Sequence, residues 1–250
     1  MPSDDGARLR LLGGWSLDGV AGAGRLPQTV RRVLTLLALR GPTTREVLAA
    51  ALWPDASAGH SHGSLRTTLW RLRALPAGLV DADAETVRLA AAVAVDVHEL
   101  AEDVRRLDAG VLPARLRGLT DTLVAGELAP GLYDEWLHLD RERVRQLRLH
   151  ALEGLALGLA AEGRWALALE AALGAVRVEP LRESAHRVVV RVHLLEGNRS
   201  EALRHGEEYG RLLAAELGVA PSPALAGLLA PPVPAPRPAA LSPAPRPAAR

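Results

Sequence analysis

Residues 60–73, HSHGSLRTTLWRLR, combine a row of leucines with a cationic opposite side. With successive residues about 100° apart on a helix, Arg66, Thr67 and Arg71 lie away from the leucines at 65, 69 and 72. An arginine can donate two parallel hydrogen bonds to O6 and N7 of guanine, and hydroxyl groups bond to phosphates. The pattern is typical of a helix that reads duplex DNA. An ordinary solvated helix of an arginine-rich protein has the same composition. The elements around the helix must therefore distinguish between the two interpretations.

Charge is concentrated around this segment. The whole chain carries a net charge of only +1, and all 30 of its basic residues are arginine. Residues 28–73 contain seven arginines against Glu46 and Asp55, a local excess of five positive charges. A basic region on a nearly neutral chain indicates a nucleic-acid-binding module joined to a second, different module.

Several kinds of chemistry have no support in the composition. The chain has no cysteine, which excludes disulfides and zinc–thiolate sites, and no lysine, which excludes a P-loop lysine and Schiff-base catalysis. His60 and His62 have no third ligand nearby, and no nucleophile elbow occurs. We therefore expect no enzymatic activity, no metal and no cofactor.

The start of the chain and its hydropathy bear on location. Acidic residues stand where a signal peptide needs basic ones, and no run of about 18 uncharged apolar residues occurs. We therefore expect a cytoplasmic, nucleoid-associated protein that does not enter a membrane.

The first 95 residues predict a winged helix-turn-helix preceded by a small antiparallel sheet. Residues 8–11 and 15–18 alternate apolar and polar side chains as strands do. Residues 30–38 have helical spacing, and a second helix follows, with Thr43 and Glu46 as a capping box and Val47, Leu48, Ala51 and Leu52 as its apolar stripe. A loop over residues 56–61 leads into the leucine-rich helix. Apolar runs at 79–82 and 86–89 then predict a hairpin, and this order of elements favours DNA binding.

Beyond residue 95 the pattern is helical throughout. Asp96 and Glu99 suggest a capping box for a helix through about residue 107, and two more helices are predicted at 113–124 and 134–161. Glu162-Gly163 and Ala168-Leu169 recur 34 residues later, which is the tetratricopeptide period. The predicted fold is therefore mostly α, with a winged-helix domain at 8–95 and a tetratricopeptide-like domain at 96–229. The proline-rich residues 230–250 predict a disordered tail.

Several longer stretches resemble the Streptomyces antibiotic regulatory protein family. They are 8–13 (RLRLLG), 46–55 (EVLAAALWPD), 65–73 (LRTTLWRLR), 95–97 (VDV), 179–183 (EPLRE) and 212–223 (LLAAELGVAPSP). Members of that family join an OmpR-like winged helix to a bacterial transcriptional activator domain. The resemblance spans about residues 8–229, and its last stretch is the most specific.

The resemblance implies a transcriptional activator that binds direct repeats near a promoter, as a dimer on double-stranded DNA, and recruits RNA polymerase. Outward residues of the leucine-rich helix would then read bases, while Thr44, Arg45 and Arg73 would contact phosphates. The hairpin itself offers Arg88 for a backbone contact. The candidate DNA-binding residues are Thr44, Arg45, His62, Ser64, Arg66, Thr67, Arg71, Arg73 and Arg88.

Two features do not fit this interpretation easily. The hairpin carries Asp81, Asp83 and Glu85, which would repel phosphates if they faced a duplex. The alternative is a tetratricopeptide-type adaptor whose winged helix no longer binds DNA. Trp70 also points outward, and the sequence assigns it no role.

Overall fold

A small mixed sheet opens the fold. The computed structural model describes residues 6–113 and 119–230. Strands β1 (Arg8–Arg10) and β2 (Ser16–Asp18) pair antiparallel with Leu9 opposite Leu17, as the alternation predicts. A third strand, β6 (Ala94–Val95), pairs parallel with β1. The sequence did not predict β6, because two residues are too few to show a strand period.

Three helices follow, α1 (Gln28–Arg40), α2 (Arg45–Leu52) and α3 (Ala58–Arg73). The three leucines of α3 are at most 3% exposed, which confirms their predicted place in the core. The predicted loop at 56–61 was partly wrong, because α3 already begins at Ala58 and includes Gly59. Glycine lowers helix propensity without forbidding a helix, and the packed leucines, which begin nearly two turns later, compensate.

Two neighbouring threonines have different structural roles at the start of α2. The Thr43 hydroxyl donates to the Gly41 carbonyl at 2.9 Å, and Thr43 forms a two-residue strand, β3 (Thr43–Thr44), paired with the hairpin. Thr44 is the N-cap, and its hydroxyl accepts a hydrogen bond from the Val47 amide at 3.3 Å. The predicted capping box of Thr43 and Glu46 is therefore wrong by one residue. The buried stripe shifts with it, since Val47 is 49% exposed and Ala49 is buried.

The predicted hairpin is present. Strands β4 (Val80–Ala82) and β5 (Thr86–Leu89) pair antiparallel, with Ala82 opposite Val87. The other edge of β5 pairs with β3, so a three-stranded sheet joins the hairpin to the start of α2. This sheet places the hairpin turn beside the turn that leads into α2.

The remainder of the described chain is helical, and we call residues 96–229 the helical part. Helices α7 and α9 begin 34 residues apart, at the period that the repeated dipeptides predict. Residues 114–118 of the predicted helix at 113–124, and residues 231–250 of the predicted tail, lie outside the described ranges. The helices are α4 (Asp96–Asp108), α5 (Leu119–Ala125), α6 (His138–Ala161), α7 (Trp165–Val178), α8 (Glu183–Glu196), α9 (Arg199–Leu217) and α10 (Pro223–Leu229). Within these described ranges, none of the helices combines the length and the apolar composition needed to cross a membrane.

One apolar core runs from the first sheet through α1 and into α6. Polar contacts reinforce it, because Arg32 of α1 forms an ion pair with Asp134, and Arg40 donates to the Trp136 carbonyl at 3.1 Å. The guanidinium of Arg40 also lies 5.7 Å from the centre of the Trp136 ring. Since α3 packs on α1 and α2, the core holds α3 in a defined orientation relative to the helical part.

The predicted capping box at Asp96 and Glu99 is also wrong. Val95 is the N-cap of α4, and no side chain caps it. The Asp96 carboxylate instead accepts hydrogen bonds from the amides of Leu11 and Leu12, at 2.9–3.0 Å. Glu99 pairs with Arg8 at 2.6 Å. Both carboxylates therefore fasten α4 to the first sheet.

A histidine pair joins α8 to α9. The ring of His186 donates from Nε2 to the Pro180 carbonyl at 2.8 Å, so its Nδ1 accepts from Nε2 of His205 at 3.0 Å. The His186 ring also stacks on Tyr209 with the ring centres 3.9 Å apart. Burial lowers the pKa of both histidines. Together with the repulsion that His186 exerts when it is protonated, burial brings the pKa of His205 to about 4.

Acidification should therefore destabilise the fold. In the unfolded chain a histidine takes up its proton near pH 6.5, whereas folded His205 stays neutral until about pH 4. The free energy of unfolding should fall as the pH drops through this window. Thermal unfolding at pH 7.5 and pH 5 measures it, and His205→Gln should lose less thermal stability on acidification than the wild type. An equal loss in both proteins would contradict the assignment.

Candidate nucleic-acid interface

The outer face of α3 is cationic and contains no carboxylate. Arg66 and Arg71 are exposed, and within the described residues neither forms an ion pair or a side-chain hydrogen bond. His62 and Thr67 are also exposed, and Ser64 is half-buried. The helix thus exposes two guanidinium groups without partners in the described chain, while the buried leucines on its other side fix the orientation of the helix.

These residues divide between two flanks of α3. Arg73 lies on the side of the hairpin, where it donates to the Ala82 carbonyl at 3.3 Å. Arg66 precedes it by seven residues and therefore lies within about 20° of it around the helix. On the other side, Ser64, Thr67 and Arg71 line a shallow groove of about 370 Å³. Thr29 of α1 and Trp53, which follows α2, complete that groove. The sequence did not single out Thr29 or Trp53, because only packing brings them beside α3.

The predicted phosphate-contacting residues all make contacts within the fold. Arg45 donates from Nε and Nη2 to the Asp83 carbonyl, at 3.2 and 2.7 Å, and so braces the hairpin turn. Thr44 caps α2 and is exposed. Arg88 pairs with Asp81 at 3.3 Å in an exposed ion pair, which is of the kind that contributes little to stability.

The acidic hairpin turn has a structural explanation. Oδ1 of Asp83 accepts hydrogen bonds from the amides of Glu85 and Thr86, at 2.8 and 2.7 Å. Its Oδ2 accepts from the Thr86 hydroxyl at 2.7 Å. These bonds, led by those from Thr86, lower the pKa of Asp83 to about 2. An aspartate bonded to its own backbone two residues on is a common turn former, and the Asp-Ala-Glu-Thr order is the signal that the sequence interpretation overlooked.

Asp83→Ala should lower the melting temperature, because it removes three hydrogen bonds that close the turn between β4 and β5. Asp81→Ala on the same hairpin is the matched control, since it removes only the exposed pair with Arg88. Circular dichroism of both variants against the wild type measures the difference. Equal melting temperatures for the two variants would show that the turn does not depend on the Asp83 carboxylate.

The outermost line of α3, which we call its crest, runs from Gly59 through Gly63 to Trp70. A methyl group at Gly59 or Gly63 would meet no atom within 4 Å other than the adjacent backbone of α3 itself, so neither glycine is required by packing. Trp70 on the same face is 70% exposed. The sequence prediction that Trp70 points outward is confirmed.

His60 and His62 lie in the first two turns of α3. Nδ1 of His60 lies 2.9 Å from the hydroxyl of Ser57, so this ring bonds to the start of its own helix. Across residues 6–113 and 119–230, no group of three or more histidine, aspartate or glutamate side chains is arranged to hold a metal ion.

Comparisons with known proteins agree with this architecture. The bacterial transcriptional activator domain family matches residues 95–230. Among solved structures, the chain is similar to Mycobacterium tuberculosis EmbR in complex with a low-affinity phosphopeptide, with 22% sequence identity and a TM-score of 0.64. This likeness covers 89% of the present chain but 64% of the EmbR chain, so the chain spans less than two thirds of EmbR, and it shows a shared fold.

No curated protein matches the sequence. The family match covers more than half of the chain and includes all of the helical part. The chain therefore belongs to the bacterial transcriptional activator domain family.

Proposed function

We propose that this chain is a sequence-specific DNA-binding transcriptional activator and not an enzyme. In this proposal residues 8–95 form an OmpR-like winged helix, with α2 and α3 as the helix-turn-helix and the β4–β5 hairpin as the wing. The observation that carries it is the outer face of α3, which is free of carboxylates and presents Arg66 and Arg71 without partners among the described residues. The second helix of such a motif enters the major groove.

Arg66 and Arg71 are the residues that we assign to base recognition. They are five residues apart, which corresponds to about 7.5 Å along the helix axis and to roughly two base-pair steps. Each guanidinium can donate two hydrogen bonds to one guanine. His62 and Ser64 lie nearer the start of the helix, and Thr67 lies between the two arginines. These three side chains would contact neighbouring bases or phosphates.

Thr44, Arg45, Arg73 and Arg88 are the residues that we assign to the phosphate backbone. Arg45 and Arg73 already hold carbonyl groups of the hairpin, and the five N–H groups of a guanidinium leave donors for a phosphate. A cation fixed in this way positions the duplex without reading its sequence. These contacts would set the register of α3 in the groove.

The helical part would provide the activating contacts. We propose that the chain binds direct repeats as a dimer and recruits RNA polymerase, in keeping with its activator-domain family. A groove of about 780 Å³ lies between residues 50–56 and residues 134–136. Trp53 and Trp136 line it together with Asp55, Glu135 and the ion pair of Arg32 with Asp134. The carboxylates of Asp55 and Glu135 suit a basic protein surface and not DNA.

An adaptor that no longer binds DNA is the second candidate, and the acidic hairpin is the observation that favours it. The Asp83 carboxylate accepts the hydrogen bonds that close the hairpin turn, and Asp81 is paired with Arg88. Glu85 is then the carboxylate of the hairpin without a described role, which weakens the main argument for an adaptor.

Arg66→Ala and Arg71→Ala should each weaken binding to the preferred DNA site by about 1–3 kcal/mol, because each removes a bidentate base contact. The measurement is a gel-shift titration at fixed salt, using a duplex that the full chain selects from a random pool. Arg191→Ala is the matched control, since Arg191 is an exposed arginine of α8. Wild-type affinity in both α3 variants would refute the assignment.

Salt dependence separates the activator from the adaptor. Binding that neutralises phosphates weakens steeply between low and physiological salt, because bound counterions are released. Failure of the wild-type chain to bind any duplex even at low salt would favour the adaptor.

Gly63→Ala should separate fold stability from DNA binding. Alanine at this open helical position should stabilise the fold by about 1 kcal/mol, because glycine is the poorer helix former. If the α3 backbone approaches the duplex closely at Gly63, the same methyl group should weaken DNA binding. Melting temperature and gel shift on the same protein test both, and Gly227→Ala on α10, which also has open space, is the control. A variant that is more stable and binds as tightly as the wild type would exclude close approach at this residue.

A further inference from the structure

Trp70 stands apart from the other large apolar side chains of α3. The three leucines of the helix are at most 3% exposed, whereas the Trp70 indole is 70% exposed. A tryptophan side chain buries on the order of 150–250 Å² when it is covered, so leaving it in water forgoes a large apolar contribution. No contact within the described chain accounts for its position.

The charges around Trp70 favour an anionic partner. At about 100° per residue, Arg66 and Arg73 lie within about 40° and 60° of Trp70 on the helix surface. The helix has no carboxylate of its own to neutralise them. On the neighbouring hairpin, Asp81 pairs with Arg88 and Asp83 accepts the hydrogen bonds of the turn, so neither carboxylate is directed at these arginines. A duplex offers phosphates for the arginines and, between the phosphates, the apolar faces of deoxyribose for the indole. A protein partner would instead need an apolar pocket with an acidic rim.

The profile of the crest indicates which part of the duplex the indole meets. Gly63 precedes Trp70 by two turns and lies within about 20° of it around the helix, with Gly59 one turn further back. The crest is therefore low at the start of α3 and high about 10 Å further along the axis. A helix of this shape can lie deep in a groove only at its glycine end. Its tryptophan end is held away from the base edges.

We propose that Trp70 packs against deoxyribose on one wall of the major groove and sets the tilt at which α3 enters it. This inference rests on the proposed function and adds a positioning residue to it. Trp70 would contribute affinity through apolar contact, while Arg66 and Arg71 read the bases. The indole neutralises no phosphate, and this distinguishes its contribution from that of the arginines.

The test compares Trp70→Ala with Arg66→Ala in the full chain, on the selected duplex, over a range of salt concentrations. Trp70→Ala should weaken binding about tenfold without changing the slope of log affinity against log salt, because no counterion-releasing contact is lost. Arg66→Ala should reduce that slope if its guanidinium also neutralises phosphate charge. Trp70→Phe should recover part of the affinity, and the melting temperature should not change.

Leu139→Ala is the matched control, because Leu139 is 83% exposed on α6 and lies outside α3. If Trp70→Ala bound the duplex as tightly as the wild type, the inference would be overturned while the proposed function stood. A reduced salt slope in Trp70→Ala would also overturn it, since the indole would then act only by placing the arginines. Failure of the wild-type chain itself to bind duplex DNA would instead refute the proposed function.

Discussion

The partly buried carboxylate of Asp96 is the contact on which the arrangement of the two parts depends. It stands where β6 becomes α4, and it accepts the amides of Leu11 and Leu12 just after β1. Burial raises its pKa, opposed by those amide hydrogen bonds and by the nearby Arg8. The amides next to β1 would otherwise lack partners inside the fold, which is costly for buried backbone groups. The same carboxylate therefore completes the first sheet and starts the helical part.

A second set of contacts extends this junction. Arg141 donates to the carbonyls of Leu128, Ala129 and Leu132, and Arg148 donates to those of Leu123 and Val124. The segment that they hold also bonds to the first sheet, since the Ala129 amide donates to the Leu11 carbonyl at 2.6 Å. In a chain without lysine, arginine is thus a structural residue that binds carbonyl groups as well as a surface cation. Counting arginines could not identify the interface, because its defining feature is that Arg66 and Arg71 have no partner within the described chain.

The sequence predicted those features that are repeated along several turns or strands. Leucine spacing predicted the buried side of α3, and the 34-residue recurrence predicted the spacing of α7 and α9. Features decided by a single contact were missed or misplaced. Thr43 and Thr44 have the same side chain, so only the pairing of Thr43 with the hairpin shows which one caps α2. From the sequence alone Asp96 resembles a capping residue, because it stands at the start of a predicted helix. The amides that it binds, those of Leu11 and Leu12, are about 85 residues away in sequence and so cannot be predicted from its neighbours. The DNA-contacting residues remain predictions, because the fold shows where they lie and not what they touch.

The continuous core between α1 and α6 has a consequence for where such a chain can work on DNA. If α3 lies in the major groove, the helical part projects from the duplex in one fixed direction, because no hinge separates the two in the described chain. B-form DNA turns by roughly 34–36° per base pair, so each base pair inserted between the binding site and a promoter would swing that direction around the duplex axis. About five base pairs would turn the helical part to the opposite side, and about ten would restore it. Because a single core fixes the helical part relative to α3, activation would depend on the helical phase between the binding site and the promoter as well as on base sequence.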